Sequence, residues 1–559
     1  MAKMPAAYPA ANPFLLAYKE LTMDRGWLKT GLLLMTLVLI SACGTPSAAP
    51  TSTGAAQSPT ATPSGPRVLK VATTANITTW DPVKSFSTEA FYLGNLYEQL
   101  LRINPPGSKE PFTPLLATSW EQSEGGLIWT FKLRPNVKFH DGEPLTAEAV
   151  KLSIEAAKDH GDAAFIWAPL DTIEAVDPLT VKMTLKYPAP MELIASSLYA
   201  AWIVSPKALS AVAADEKYFE SGVAAGTGPY TLAATTAGTA VTLQRFNDYW
   251  GGWSDVSHFD TIEVAIVGDS AEQKTLLESG AVDVAFQLPL ESMAEFRAKP
   301  DYAFYEEASF FNFVGFFNTV RPPLDNKLVR QALSYAIPYQ DIIAAGAQGF
   351  GTQSRGPVPD GVWPYSKNVK AYTYDLEQAK ALLKEAGHEG GGFSLRFTYA
   401  SENQNEARFV PLIKESFAKI GVDVTIEPML FKDQWKQAKD DPASAQDMFV
   451  IMYWPTYSDA GVDNLSALFH SSEKPSFNLS YWANQEYDTL IDDAAKITAS
   501  DPATALQKYE DAVSLLVDEA PGFYLYDTKA VYAIPSRIKG YQYNLNYPFT
   551  QFFYPLHAE

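Results

Sequence analysis

Cysteine is nearly absent from this sequence: Cys43 is the single one among 559 residues. One thiol cannot staple a domain, and it cannot supply a thiolate metal site, a CxxC redox pair or the ligands of an iron–sulfur cluster. Histidine is almost as scarce. His140, His160, His258, His388, His470 and His557 are scattered, with no HExxH and no pair at helical spacing, so no ligand set for metal-assisted hydrolysis is visible. There is no G-x-S-x-G elbow and no Walker A loop. GFGTQS from Gly349 approaches a dinucleotide fingerprint, but Ser354 stands where the third glycine belongs. Basic residues are outnumbered, 43 Lys and Arg against 64 Asp and Glu, for a formal charge of −21. Phosphate backbones call for clustered cations, so nucleic acid is excluded as a partner. The apolar run GLLLMTLVLI, 31–40, reaches roughly 15 Å as a helix against the roughly 30 Å of a bilayer core, too short to span it.

Apolar material is plentiful. With 47% hydrophobic and 13% aromatic residues the chain can fill large cores, and its length divides into two or three folding units at roughly 100–200 residues each. VLKVATT from Val68 and LIWTFKL from Leu127 read as strands. TVKMTL, TIEVAIV, FFNFVGFF, FSLRFTY, VDVTIEPM and DMFVIMYW are further strand candidates, separated by helical stretches. The clearest helix covers 376–386: Asp375 is its N-cap, Gln378 completes a capping box, Leu382 and Leu383 form its apolar face, and Gly387 ends it. Similar patterns cover 406–420 and 503–518. Strands alternating with helices predict an α/β protein with mixed sheets. The acid pairs Asp440-Asp441 and Asp492-Asp493 occupy adjacent helical positions that point in different directions, and read as solvated faces. His140-Asp141 reads as turn structure. No catalytic residue, cofactor or metal is predicted.

Cys43 sits at the end of a secretory layout: Arg25 and Lys29, the apolar run, then the small residues Ser41 and Ala42. Ile40-Ser41-Ala42-Cys43 resembles the lipobox of bacterial lipoproteins, in which the signal is cut before the cysteine and the cysteine is acylated. That resemblance implies a signal peptide over 1–42, with Met23 an alternative start, lipidation at Cys43 and a membrane anchor. Residues 44–66, rich in Pro, Ser and Thr and poor in large apolar residues, read as a disordered tether.

Sequence blocks in the body carry a second resemblance. Thr79-Trp80-Asp81-Pro82, LYEQLL at Leu96, PLLATSW at Pro114 and LIWTFKLRPNVKFHDGEPLTAEAV at Leu127 are followed by GTGPY at Gly226, NDYWGG at Asn247 and GAVDVA at Gly280. Then come GFFNTVRPPLDNKLVRQALSYAI at Gly315, YDLEQAKALLKEAG at Tyr374 and NLSYWANQEYDTLIDDA at Asn478. In this order they resemble the family 5 extracellular solute-binding proteins, receptors of peptide, nickel and oligosaccharide ABC importers. The resemblance implies a two-lobed periplasmic-binding-protein fold with mixed sheets, hinge strands and an extra domain on the first lobe. Mapped here, lobe I is 67–82 with 226–308 and 528–559, the extra domain 83–225 and lobe II 309–527. Gly226 and Gly228 of GTGPY are expected in a backbone conformation that favours glycine.

The implied function is a monomeric, lipid-anchored, extracytoplasmic receptor that passes a short peptide to an ABC permease. Oligosaccharide or nickel-chelate binding, and more distantly a secreted hydrolase, are the alternatives. For the ligand, the telling stretch is DMFVIMYWPTYSDAGVDN from Asp447, an apolar strand ending at Tyr453 and Trp454. In peptide-binding relatives an aspartate shortly after the equivalent tryptophan holds the peptide's α-ammonium. Spacing from Trp454 puts Tyr457 at that position, so either the nearest acid, Asp459, reaches back as its substitute or the ligand lacks a free amino terminus. Thr78 and Asn318 complete the candidate ligand contacts.

Overall fold

A computed structural model describes residues 67–105, 107–254, 256–401, 403–453, 459–472 and 477–559. The signal, Cys43, the tether, Trp454 and Tyr457 lie outside the described residues.

Each apolar β segment named above becomes a strand: Val68–Thr73, Ile128–Leu133, Thr180–Leu185, Thr261–Ile266, Phe393–Ala400, Val422–Met429 and Met448–Tyr453. FFNFVGFF is the second half of a longer strand, Tyr302–Phe317. The helix Leu376–Glu385 starts where Asp375 accepts the Glu377 and Gln378 amides, and Gly387 follows its end at φ +85°. Helices Gln404–Ala418 and Pro502–Glu519 begin slightly earlier than their apolar periodicity, because Asn403 and Asp501 cap them.

Five strands make the first sheet, in the order Val284–Ala285, Val68–Thr73, Thr261–Ile266, Ala240–Arg245, Tyr230–Thr236, with the first three parallel. Between Val68–Thr73 and Tyr230–Thr236 in sequence lies a separate four-stranded antiparallel sheet, built from strands between Ala117 and Leu185. Its Trp129, Phe131, Val181 and Met183 share one core with Leu69, Val71 and Ile262, so the inserted sheet leans on the first lobe. The chain's end closes this core as well: Tyr547, Phe553 and Leu556 are buried in it. Asn95 donates to the Gln551 carbonyl at 2.8 Å and accepts the Phe553 amide at 2.8 Å.

The second lobe has six strands, ordered Gly351–Gln353, Gly522–Pro535, Tyr302–Phe317, Met448–Tyr453, Phe393–Ala400, Val422–Met429. Period-two alternation sends Phe313 and Phe317 to one face with Phe397 and Phe409, and Val314 and Phe316 to the other with Phe449 and Tyr509. Helices cover both faces, which is why these strands read as nearly continuous apolar runs.

Two strands join the lobes. Tyr302–Phe317 and Gly522–Pro535 pair antiparallel through both, and in their outer halves Val531 and Ala533 pack on Ala72 and Phe296 of the first lobe. Their register slips between Ala308 and Asn312 and again between Asn312 and Val314. Such bulges leave residues unpaired and bend the ladder, giving hinge strands at the crossing.

The separated sequence blocks meet in space. Glu98 of LYEQLL is buried and accepts Thr227 Oγ1 of GTGPY at 2.9 Å, Tyr249 Oη at 2.9 Å and Trp250 Nε1 at 2.8 Å, the last two from NDYWGG. Burial pushes its carboxyl up, and these three donors oppose the shift. His140 donates from Nε2 to the Gly228 carbonyl at 2.9 Å, and its backbone amide donates to the Gly226 carbonyl at 2.8 Å. Burial lowers the imidazole to about 4, so it is neutral. Gly226 and Gly228 correct the expectation above, since neither has positive φ. They are required by close approach: a Cβ on Gly226 would lie 2.1 Å from the Leu96 carbonyl oxygen, and one on Gly228 2.6 Å from that of Asn95. Gly351–Gln353, in the GFGTQS stretch, is a short edge strand with no helix opening behind it.

Candidate ligand cleft and hinge

Parallel strands in α/β sheets present ligand sites at their carboxyl ends. In the first lobe the ends of Val68–Thr73 and Val284–Ala285 abut the joining strands, because Ala72 and Ala285 pack with Val531 and Ala533. In the second lobe Met448–Tyr453 runs toward the same place: Met448 pairs with Phe317 and Tyr453 with Asn312, inside the bulged crossing. Both carboxyl edges therefore flank the hinge.

Tyr453 ends its strand half-buried, and burial, with the charge of Asp463 second, holds its phenol well above the usual range. Asp459 departs from its expected place. It is 2% exposed, its Oδ1 accepts the Gly461 amide at 2.9 Å, and its backbone bridges that of Trp363. Burial pushes the carboxyl up to about 7, and Asp463 adds to the rise. A carboxyl so enclosed serves the Gly461 amide and is turned away from solvent. Thr78 is exposed on the loop after the first strand, where its hydroxyl donates to Glu89 Oε2 at 2.8 Å. Asn318 is turned inward: its amide donates to the Pro442 and Gln446 carbonyls at 2.8 and 3.3 Å, and its Oδ1 accepts the Val320 amide at 3.3 Å. With donors and acceptor engaged, it braces the 442–447 turn and is no ligand contact in this geometry.

A polar cluster at the hinge escaped the sequence. Asn312 is fully buried between Tyr453 on one neighbouring strand and Asp527 on the other. It donates to the Pro357 carbonyl at 2.7 Å, and Asn464 donates to the same oxygen at 2.7 Å. Asp527 accepts Ser354 Oγ at 2.6 Å and the Asp360 amide at 3.1 Å, and burial pushes its carboxyl up to about 7. Trp363 O accepts the Ala460 amide at 2.8 Å. The segment 354–363 is thereby strapped to the crossing strands and to Asp459, Ala460 and Asn464. One signal was legible, the aspartate of the largely apolar FYLYDTKAVYAI, but nothing in the sequence named its partners. Among the described residues no group of three His, Cys, Asp or Glu side chains is placed to hold a metal ion.

Residues 111–476 match the bacterial extracellular solute-binding proteins, family 5 Middle, and the chain belongs to that family. It is similar to the probable D,D-dipeptide-binding periplasmic protein DdpA of Escherichia coli K12, 29% identical over 455 residues that span 80% of this chain and 86% of that one. Among solved structures, HbpA2 from Haemophilus parasuis superposes with a TM-score of 0.77 at 26% identity, over 88% of this chain and 100% of its own. The ABC transporter-associated periplasmic binding protein DppA from Helicobacter pylori, in complex with the peptide STSA, gives 0.70 at 26% identity, over 88% and 98%. The two-lobed α/β fold expected from the resemblance is the fold found.

Proposed function

We propose that the protein is a non-enzymatic, monomeric receptor outside the cytoplasm that closes its two lobes on a short peptide and delivers it to an ABC permease. The observation that carries this reading is the convergence of both carboxyl edges on a bulged two-strand hinge, a geometry suited to closure over a ligand. The peptide class is favoured by the D,D-dipeptide-binding relative and by the peptide in the Helicobacter pylori complex. Lobe I comprises 67–82, 226–308 and 528–559, lobe II 309–527, and 83–225 is the added domain. Trp454 and Tyr457, which follow Tyr453 in sequence, contact the ligand from lobe II, and Thr78 contacts it from lobe I.

Calorimetric titration with di- to pentapeptides, cello- and xylo-oligosaccharides and nickel tests the reading. A peptide is expected to bind, and Trp454→Ala to weaken it about tenfold or more, about 1.4 kcal/mol, by removing an aromatic surface. Asp459→Asn is expected to change affinity less than about threefold, since the buried carboxyl serves the Gly461 amide and an amide oxygen can accept the same bond. Binding of a sugar or of nickel with no peptide binding overturns the proposal.

Anchoring is proposed at Cys43, whose two or more acyl chains would suffice for stable attachment where one is marginal. Metabolic labelling with a tritiated fatty acid is expected to mark the wild type and leave Cys43→Ala unlabelled and no longer membrane-bound. Equal labelling of the two would remove the lipid anchor from the proposal.

A further inference from the structure

Two large apolar side chains open to solvent stand level with each other on the second lobe. Leu430 is 48% exposed and Met452 38%, and both sit at the carboxyl edge of the six-stranded sheet; Val462, 42% exposed, comes ten residues after Met452 in sequence. Met452 is the penultimate residue of Met448–Tyr453, Leu430 directly follows Val422–Met429, and Val462 lies in the helical turn Gly461–Ala467 just past Asp459.

Strand parity gives two of them a common face. Met448 and Val450 point into the core that also takes Val422 and Val424, and Met452 continues the first series. Leu430 continues the second, its backbone still extended at φ −62° and ψ 140°. The core that is closed lower down therefore runs out into solvent at these residues. The strand between them does not fill the gap. Phe393–Ala400 pairs with its neighbour Val422–Met429 as far as Ala400 and Met429, but with Met448–Tyr453 only at Met448 and Phe449. Beyond that point the buried Gln434 side chain serves the second strand, donating to the Val450 carbonyl at 3.0 Å. The sheet is thus split at its carboxyl edge, with Met452 on one bank and Leu430 on the other.

We infer that this apolar lip selects the ligand: it takes a large apolar side chain of the bound peptide and disfavours an acidic one. The inference rests on the reading that the cleft receives a peptide. Burial of apolar surface supplies the attraction, and an acidic side chain entering the same place loses hydration without a compensating partner.

Trialanine, trileucine and triglutamate, titrated into the full-length protein by calorimetry, read the selection directly. Trileucine is expected to bind at least about tenfold tighter than trialanine, and triglutamate more weakly than either. In Leu430→Gln/Met452→Gln the trileucine-to-trialanine ratio is expected to fall below about threefold, with an unchanged melting temperature to show that the protein is folded. Val320→Gln, which alters an apolar side chain 51% exposed elsewhere on the lobe, is expected to keep the full ratio. Trileucine binding no better than trialanine, or a ratio untouched by the double substitution, overturns the inference and leaves the peptide reading standing. Failure of all three tripeptides and of every peptide in the earlier titration overturns both.

Discussion

Gly226→Ala is expected to destabilise the protein by about 3 kcal/mol or more, at the upper end of what overpacking costs. The added Cβ would sit 2.1 Å from the Leu96 carbonyl oxygen and 2.7 and 2.8 Å from Tyr97 Cδ1 and Cα, so it meets backbone and not the tip of a flexible side chain. Neither side can yield cheaply. The Leu96 carbonyl already accepts the Gly228 amide at 3.0 Å, and the Gly226 carbonyl accepts the His140 amide at 2.8 Å. Moving either segment would also disturb the Glu98 cluster. Gly268→Ala is the natural comparison, because its Cβ would meet nothing within 4 Å and its φ is not positive. That change is expected to be neutral or slightly stabilising through the unfolded chain. Denaturant midpoints for the pair check this, and equal midpoints would show that the approach of GTGPY to LYEQLL is looser than the distances say.

Stability is expected to fall between pH 5 and pH 8, and Asp527→Asn to remove about half of the fall that Asp459 and Asp527 together impose. Both carboxyls stand at about 7 in the folded protein against an ordinary 3.8, chiefly through burial. The folded state therefore holds these protons more tightly than the unfolded one. Their stabilising contribution is complete below about pH 4 and is lost progressively as pH rises to about 7, where each carboxylate must be buried charged. At about 1.4 kcal/mol per unit, each contributes up to about 4 kcal/mol across that window. Glu295, held at about 2 by Lys299 and Lys274, titrates well below it, whereas His140, lowered by burial to about 4 from an ordinary 6.5, adds stability as pH rises to about 6.5 and offsets part of the fall equally in wild type and variant. Asparagine cannot reproduce both acceptor contacts of Asp527, to Ser354 and to the Asp360 amide, so the variant carries a constant penalty as well. The slope, not the absolute stability, is the observable. Chemical denaturation at pH 5, 6, 7 and 8 gives it, and parallel curves for wild type and variant would show that Asp527 does not bind its proton in the folded state.

Strands were legible because those of the second lobe are buried on both faces and leave no doubt about their apolar character, whereas Ile128–Leu133 alternates visibly. Helix starts were legible where Asp375 advertised a cap, and less so at Asn403 and Asp501, which lie three and two residues ahead of the apolar periodicity that first draws the eye. The roles of Gly226 and Gly228 were half legible: that only glycine fits could be read, but the cause lies in Leu96 and Asn95, more than a hundred residues away. Asp459 was misplaced for a related reason. Its distance from Trp454 along the chain carries no information on whether the carboxyl turns outward, and Gly461 and the strap at Trp363 turn it inward. Asn318 was misread in the same way, because a conspicuous polar residue after an apolar strand serves a turn as readily as a ligand. Apart from the aspartate itself, the Asn312, Asp527 and Pro357 junction was invisible, since its members come from three separate stretches and one of its acceptors is a main-chain carbonyl.

The way the chain's end closes the first core fixes an order of assembly. The six strands of the second sheet lie within one continuous stretch, Tyr302–Pro535, while the core of the first needs residues from before Tyr302 together with Tyr547, Phe553 and Leu556. A polypeptide that emerges amino end first can finish its second lobe while the first still lacks its last apolar side chains. The earliest segment to appear is thus the last to be sealed. A ribosome that stops before residue 547 releases a product whose opening half, with Phe91, Leu93 and Tyr97, has no lid over its interior and is exposed to proteases and to aggregation.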